Sequence, residues 1–210
     1  MASLWSELVS QFSAQSWVEL LAVVLALAYV WLAARQNIWC WPCAAISTGL
    51  YTWLFWEVSL PFQTLLNAYY LLMAIYGWMK WFQQQDHPVI QQWPLSRHLY
   101  WIAALAVIAL VLPHISGLFA DTKLVYLDAF ITVFSVFTTF LVAHKVLENW
   151  LYWIVINGFS AYLYAESGLI MTACLFVFYM FFAVYGYNKW RIERNAQSAC
   201  SAAQLNLSSS

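Results

Sequence analysis

The chain has 210 residues, of which 64% are hydrophobic, 20% aromatic and only 8% charged, with a net charge of −1. Soluble domains carry about a quarter charged residues and under half apolar ones, so the composition excludes a water-soluble globule and a disordered chain. No basic field exists to hold nucleic acid, and four cysteines are too few for a disulfide scaffold. What remains is an integral membrane protein with an aromatic excess to explain.

A helix needs roughly 20 mostly apolar residues to cross the hydrocarbon core. In chain order the spans read Trp17–Ala34, Ile38–Trp56, Leu60–Trp81, Leu99–Leu112, Tyr126–Ala143, Trp150–Tyr164 and Gly168–Tyr187. Residues 1–16 precede them without a basic leader or a small-residue cleavage pattern. Trp5, Leu8 and Phe12 fall there at helical spacing, which predicts a short interfacial segment. Pro113 limits the fourth span. The Ser- and Ala-rich residues after 193 have no apolar period and read as a disordered tail.

Seven spans put the termini on opposite sides. Arg35, Lys80, Arg97, Lys145, Lys189, Arg191 and Arg194 then fall on one side and Lys123 on the other. Basic loops stay in the cytoplasm, so the N-terminus is expected outside and the C-terminus inside.

The third and seventh spans end alike. Tyr70-x-x-x-Ala74-Ile-Tyr76-Gly77-Trp78-x-Lys80-Trp81 matches Tyr179-x-x-x-Ala183-Val-Tyr185-Gly186-Tyr187-x-Lys189-Trp190 at an offset of 109. Glu19 maps to Asp128 at the same offset, and a two-residue slip then pairs Trp39 with Trp150 and Tyr51 with Tyr162. The predicted organisation is a three-helix unit over 17–83, a linker with the fourth span over 84–123, a second unit over 124–192, and the tail over 193–210. Four spans separate the copies, so they share one orientation, a parallel 3+1+3 repeat. Transporters of this kind bind substrate near the midplane between repeats.

Polar groups in hydrocarbon are costly unless paired or facing a cavity. Gln63, Asn67 and Tyr70 share one helical face, as do Trp150, Trp153 and Asn157, and the second span adds Trp41 and Tyr51. Amides give donors and an acceptor, and indoles bind cationic rings. Together they suit a polar aromatic ligand. Asn and Gln also tie membrane helices together, and Trp5, Trp56, Trp93, Trp101 and Trp190 read as interface belts. Glu19 and Asp128 form a candidate acidic outer mouth that attracts cations. Glu148 is expected to cap the sixth span together with Asn149. Gly77 and Gly186 allow close packing or a bend near a gate. Cys40-x-x-Cys43 lies outside any βαβ unit and reads as free thiols. No metal spacing, cofactor motif or nucleophile–base pair is apparent, so no metal, no cofactor and no enzyme activity are expected. A seven-helix receptor or sensor is the rival class.

Gln63-x-x-x-Asn67-x-x-Tyr70, Tyr76-Gly77-Trp78-x-x-Trp81 and Glu148-Asn149-Trp150-x-x-Trp153-x-x-x-Asn157, with Leu127-Asp128 before it, resemble the Pnu family of bacterial vitamin transporters over roughly residues 17–192. The resemblance implies a SWEET-like 3+1+3 bundle in the bacterial inner membrane. It also implies facilitated diffusion of an unphosphorylated vitamin precursor, trapped by a cytoplasmic kinase, with homo-oligomers possible. The riboside carriers (PnuC) usually show an Asn-Tyr-x-x-Gly type segment where this chain reads Asn37-Ile-Trp39-Cys-Trp41-Pro42. That departure looks more like the thiamine branch (PnuT), so thiamine is expected first and nicotinamide riboside second, with riboflavin a third possibility.

Overall fold

Local bonding fixes where the helices begin and end. The computed structural model describes residues 17–57, 61–84, 89–115, 123–168 and 170–208. Within these, α1 spans Trp17–Ala34, α2 Cys40–Glu57, α3 Pro61–Gln83, α4 Leu95–Ile115, α5 Lys123–Ala143, α6 Asn149–Glu166 and α7 Ile170–Ser208. Each of the seven expected spans corresponds to one of these helices. The expected interfacial segment 1–16 lies outside the described residues.

The chain leaves α1 through a doubly bonded closure. Asn37 N–H donates to Leu32 O at 2.9 Å and Gln36 N–H to Ala33 O at 3.0 Å. This closure needs a left-handed residue, and Gln36 supplies it at φ 52°. The same bonds recur 109 residues later. Val146 N–H donates to Leu141 O at 3.0 Å, Lys145 N–H donates to Val142 O at 3.0 Å, and Lys145 also has φ 52°. Neither residue is glycine, so roughly 1 kcal/mol of steric cost is accepted at each. The starts of α2 and α6, and of α3 and α7, are related by that same offset.

Helix contacts close a ring. α1 packs on α2, α2 on α3, α3 on α5, α5 on α6, α6 on α7, and α7 back on α1. α4 packs on α5 alone among the helices, and its outer face is Leu99, Val107, Leu110 and other exposed apolar residues. Leu65, Leu72, Phe178 and Phe181 are each about two-thirds exposed on the ring's rim. Apolar surface of that extent demands a lipid rather than a water boundary. By length and composition alone, Leu95–His114 and Leu124–Ala143 suffice to cross a membrane. The other helices are richer in Trp, Tyr and amides, which lower a hydropathy average.

The core lies where the 35–39 and 144–148 loops meet. There the edge of Trp41 stands over Gly77, so close that a Cβ on Gly77 would lie 2.3 Å from the indole. Trp150 stands over Gly186 in the same way, at 2.7 Å. Trp41 meets Trp81 edge-on, with centroids 5.4 Å apart and planes at 89°; Trp150 meets Trp190 at 5.5 Å and 89°. Both triads keep the repeat offset without a break, so the expected two-residue slip is corrected: Trp150 corresponds to Trp41, not to Trp39. Trp39 is instead an exposed ring lying edge-on to Trp78.

Other expectations also change. Trp190 is fully buried in this core rather than set in an interface belt. The tail expected to be disordered continues α7 as helix to Ser208. Its Ala, Gln and Arg residues are good helix formers, and Gln36 Nε2 and Ile90 N–H donate to Glu193 and Gln197 on it. α4 starts four residues early, because Pro94 O accepts from Arg97 and His98 N–H. It also runs through Pro113, which sits in its final turn, where one lost bond costs little. Glu148 makes no side-chain cap to α6. Its carboxylate accepts from Trp93 N–H at 3.3 Å and faces His98 Nε2 at 3.6 Å. Asn149 Nδ2 turns back to Val146 O at 2.6 Å.

Gly77→Ala is therefore expected to cost roughly 1–3 kcal/mol by overpacking against a buried ring. A detergent melt should show a lowered Tm, recovered in part when Trp41→Phe is added. Gly186→Ala, with its longer approach, should cost less.

Candidate functional site

A cavity of about 190 Å³ opens inside the ring between α1, α6 and α7, with Val142 at the end of α5 closing one side. Its α6 wall is Trp150, Trp153 and Asn157, one helical face as the i, i+3, i+7 spacing requires. Its α1 wall is Ala26, Tyr29, Val30 and Ala33, where two alanines leave the space. Phe176, Tyr179 and Ala183 of α7 complete it. No Asp, Glu, Lys or Arg is among the lining residues.

The wall is held from behind. Trp150 is fixed by Gly186 and Trp190, and its Nε1 is buried with no hydrogen-bond partner. Tyr29 leans on Trp41, with ring centroids 6.1 Å apart. Phe176 stacks on Tyr164 at 5.2 Å and 8°. Asn157 is 4% exposed, and its amide has no hydrogen-bond partner among the described residues. An amide that reaches a cavity offers donors and an acceptor to a ligand amide or hydroxyl. Flat aromatic faces on three sides suit a planar or cationic ring.

Of the eight residues expected to bind substrate, Trp150, Trp153 and Asn157 line this cavity. Tyr70 lies near Ser135 on α5 and near Tyr29. Tyr51 neighbours Tyr179. Trp41 stands one layer back, behind Tyr29. Asn67 is half-buried on α3. The side chain of Gln63 lies outside the described residues, as does that of Glu19. Asp128 is exposed on α5 near Tyr164. Glu148 belongs to the Trp93–His98 contact and not to the cavity. Gly77 and Gly186 serve close packing. All four cysteines are unbridged.

The α1 and α7 walls were missed. Tyr179 had a signal, since it is the counterpart of Tyr70 in the matched motif. Tyr29 had none, for the residue 109 positions on is Thr138 and its surroundings are uniformly apolar.

Known proteins resemble this arrangement over most of its length. The nicotinamide riboside transporter PnuC of Escherichia coli K12 is 25% identical over 203 residues, covering 83% of this chain and 85% of its own. The riboflavin/roseoflavin transporter RibM of Streptomyces davaonensis is 23% identical over 192 residues, covering 87% and 88%. The crystal structure of the vitamin B3 transporter PnuC shares the fold, with a TM-score of 0.69, 22% identity and coverage of 92% and 90%. The profile of the family described as nicotinamide mononucleotide transporter matches residues 16–192. The chain is therefore a membrane-spanning member of the nicotinamide mononucleotide transporter family, the family of PnuC.

Proposed function

We propose that the protein carries nicotinamide riboside across the bacterial inner membrane by facilitated diffusion. The observation that carries this reading is the cavity: an unpaired amide between indoles, with aromatic walls and no charged lining residue. A dry cavity of about 150 Å³ takes one benzene ring, so about 190 Å³ suits a single pyridinium with its sugar directed outward. Asn157 pairs with the carboxamide, and the rings attract the cation. A mononucleotide would bring a phosphate into a site with no lysine or arginine to meet it, at a desolvation cost of several kcal/mol. The unphosphorylated riboside is the better cargo, and a cytoplasmic kinase would trap it. Riboflavin, carried by a named relative, has three fused rings and asks for a wider cavity.

The thiamine reading gives way. It rested on the Trp39-x-Trp41-Pro42 segment, and Trp41 is packed on Gly77 as the counterpart of Trp150 on Gly186, a role in the scaffold. The relatives are named for nicotinamide riboside, vitamin B3 and riboflavin.

The 3+1+3 reading is supported by the closures, helix starts and Trp–Gly–Trp triads that match at one constant offset. α1–α3 and α5–α7 are its two units, with one orientation, and α1–α7 and α3–α5 are the two seams between them. Arg35, Lys80, Arg97, Lys145 and Lys189 gather at the end where the loops meet, which supports a cytoplasmic placement of that end. The two units rock about the cavity to give alternating access.

Two measurements test this. Tryptophan fluorescence of purified protein should saturate with nicotinamide riboside at least tenfold below the concentrations needed for its 5′-phosphate, thiamine or riboflavin; tighter binding of any of those three would reassign the cargo. Asn157→Leu should weaken riboside binding and liposome uptake at least tenfold with unchanged membrane yield, because the amide it removes makes no hydrogen bond among the described residues. Wild-type uptake by that variant would remove Asn157 from the site.

A further inference from the structure

The two seams have matching parts, but the pair of bonds made at one is missing at the other, where Tyr69 OH donates to Val136 O at 3.0 Å and Tyr76 OH meets His144 Nε2 at 3.1 Å instead. At the α1–α7 seam, Trp190 Nε1 donates to Ala33 O at 3.1 Å and Gln36 Nε2 to Glu193 Oε2. The repeat-related counterparts at the α3–α5 seam are Trp81 with Val142, and Lys145 with Gln84. Neither of those bonds is made. Trp81 Nε1 and Gln84 Oε1 are both buried and without a hydrogen-bond partner. Lys145 is 3% exposed, and its ammonium rests over the Trp81 ring at 4.7 Å.

The unmade bonds are chemically sound. Lys145 is a donor, Gln84 Oε1 an acceptor, and Val142 O has a second lone pair beside the Lys145 N–H it already accepts. At the α1–α7 seam Gln36 leaves only its Oε1 unpaired. Lys145 also links the two seams, because it lies within electrostatic reach of Glu193, the anchor of the α1–α7 seam. The groups facing it are Glu193, Cys40 and Trp81.

We propose that the α3–α5 seam holds a second latch, Lys145 to Gln84 and Trp81 to Val142 O, and that the protein exchanges the α1–α7 latch for it as it changes conformation. Lys145 is the positioning residue of this exchange. In the present state it is drawn toward Glu193 and parked on Trp81. In the other it moves to Gln84, and the motion that brings α3 and α5 together there separates α1 from α7. This rests on the transport reading only in requiring two conformations, and its test uses no substrate.

Trp31 and Tyr185 stack across the α1–α7 seam with centroids 5.3 Å apart, and both are over a third exposed. In a full-length chain with Cys40, Cys43, Cys174 and Cys200 changed to alanine, Trp31→Cys and Tyr185→Cys would be joined in membranes by a short bifunctional thiol reagent. Adding Gln84→Glu gives Lys145 a stronger partner and should lower the cross-linking yield at least threefold. Adding Lys145→Met to that variant should restore it. An unchanged yield, or a loss that Lys145→Met does not restore, overturns the exchange. Lys145→Gln tests it independently of any glutamate at 84: the yield should rise, and an unchanged yield again counts against the exchange. Riboside uptake by the wild-type chain, measured separately, tests only the cargo.

Discussion

The architecture depends on one kind of contact, an indole laid on a glycine. Two helices approach at Trp41–Gly77 and at Trp150–Gly186 more closely than any side chain on the second helix would allow. In a membrane the driving force between helices is packing, not exclusion of water. A broad ring on bare backbone maximises that packing. A second indole, Trp81 or Trp190, then fixes the first edge-on, so its orientation is set twice over.

The cavity follows from that contact. Trp150 presents its far side to the space between α1, α6 and α7 while its near side is held by Gly186. One residue is both scaffold and wall. In the first half of the chain Trp41 plays the scaffold part but has Tyr29 between it and the cavity. The two matching Trp–Gly contacts thus frame a cavity without matching walls, drawn from α1, α6 and α7.

Much of this was legible in the sequence. Runs such as Trp17–Ala34 and Tyr126–Ala143 locate helices because hydrocarbon leaves few alternatives. The i, i+3, i+7 face of Trp150, Trp153 and Asn157 survives intact because helical periodicity is local. The matched ends of α3 and α7 pointed to the Trp–Gly–Trp contacts that recur 109 residues apart. What failed was what depends on contacts. Trp39 and Trp41 are equally plausible partners for Trp150 by identity, and only the glycine beneath the ring distinguishes them. The cap expected of Glu148 lost to the distant backbone N–H of Trp93. Tyr29 became a wall through the approach of α1 to α7, which no spacing within α1 records.

The length of α7 has its own consequence. Its 39 residues extend about 58 Å at about 1.5 Å each, against a hydrocarbon core of about 30 Å. Nearly half of it therefore stands clear of the bilayer as one rigid rod. A tilt of about 10° at the membrane would swing the far end of that projecting half by roughly 5 Å, given the same rise per residue. The helix is a lever arm: small rotations beside the cavity arrive enlarged at the aqueous tip.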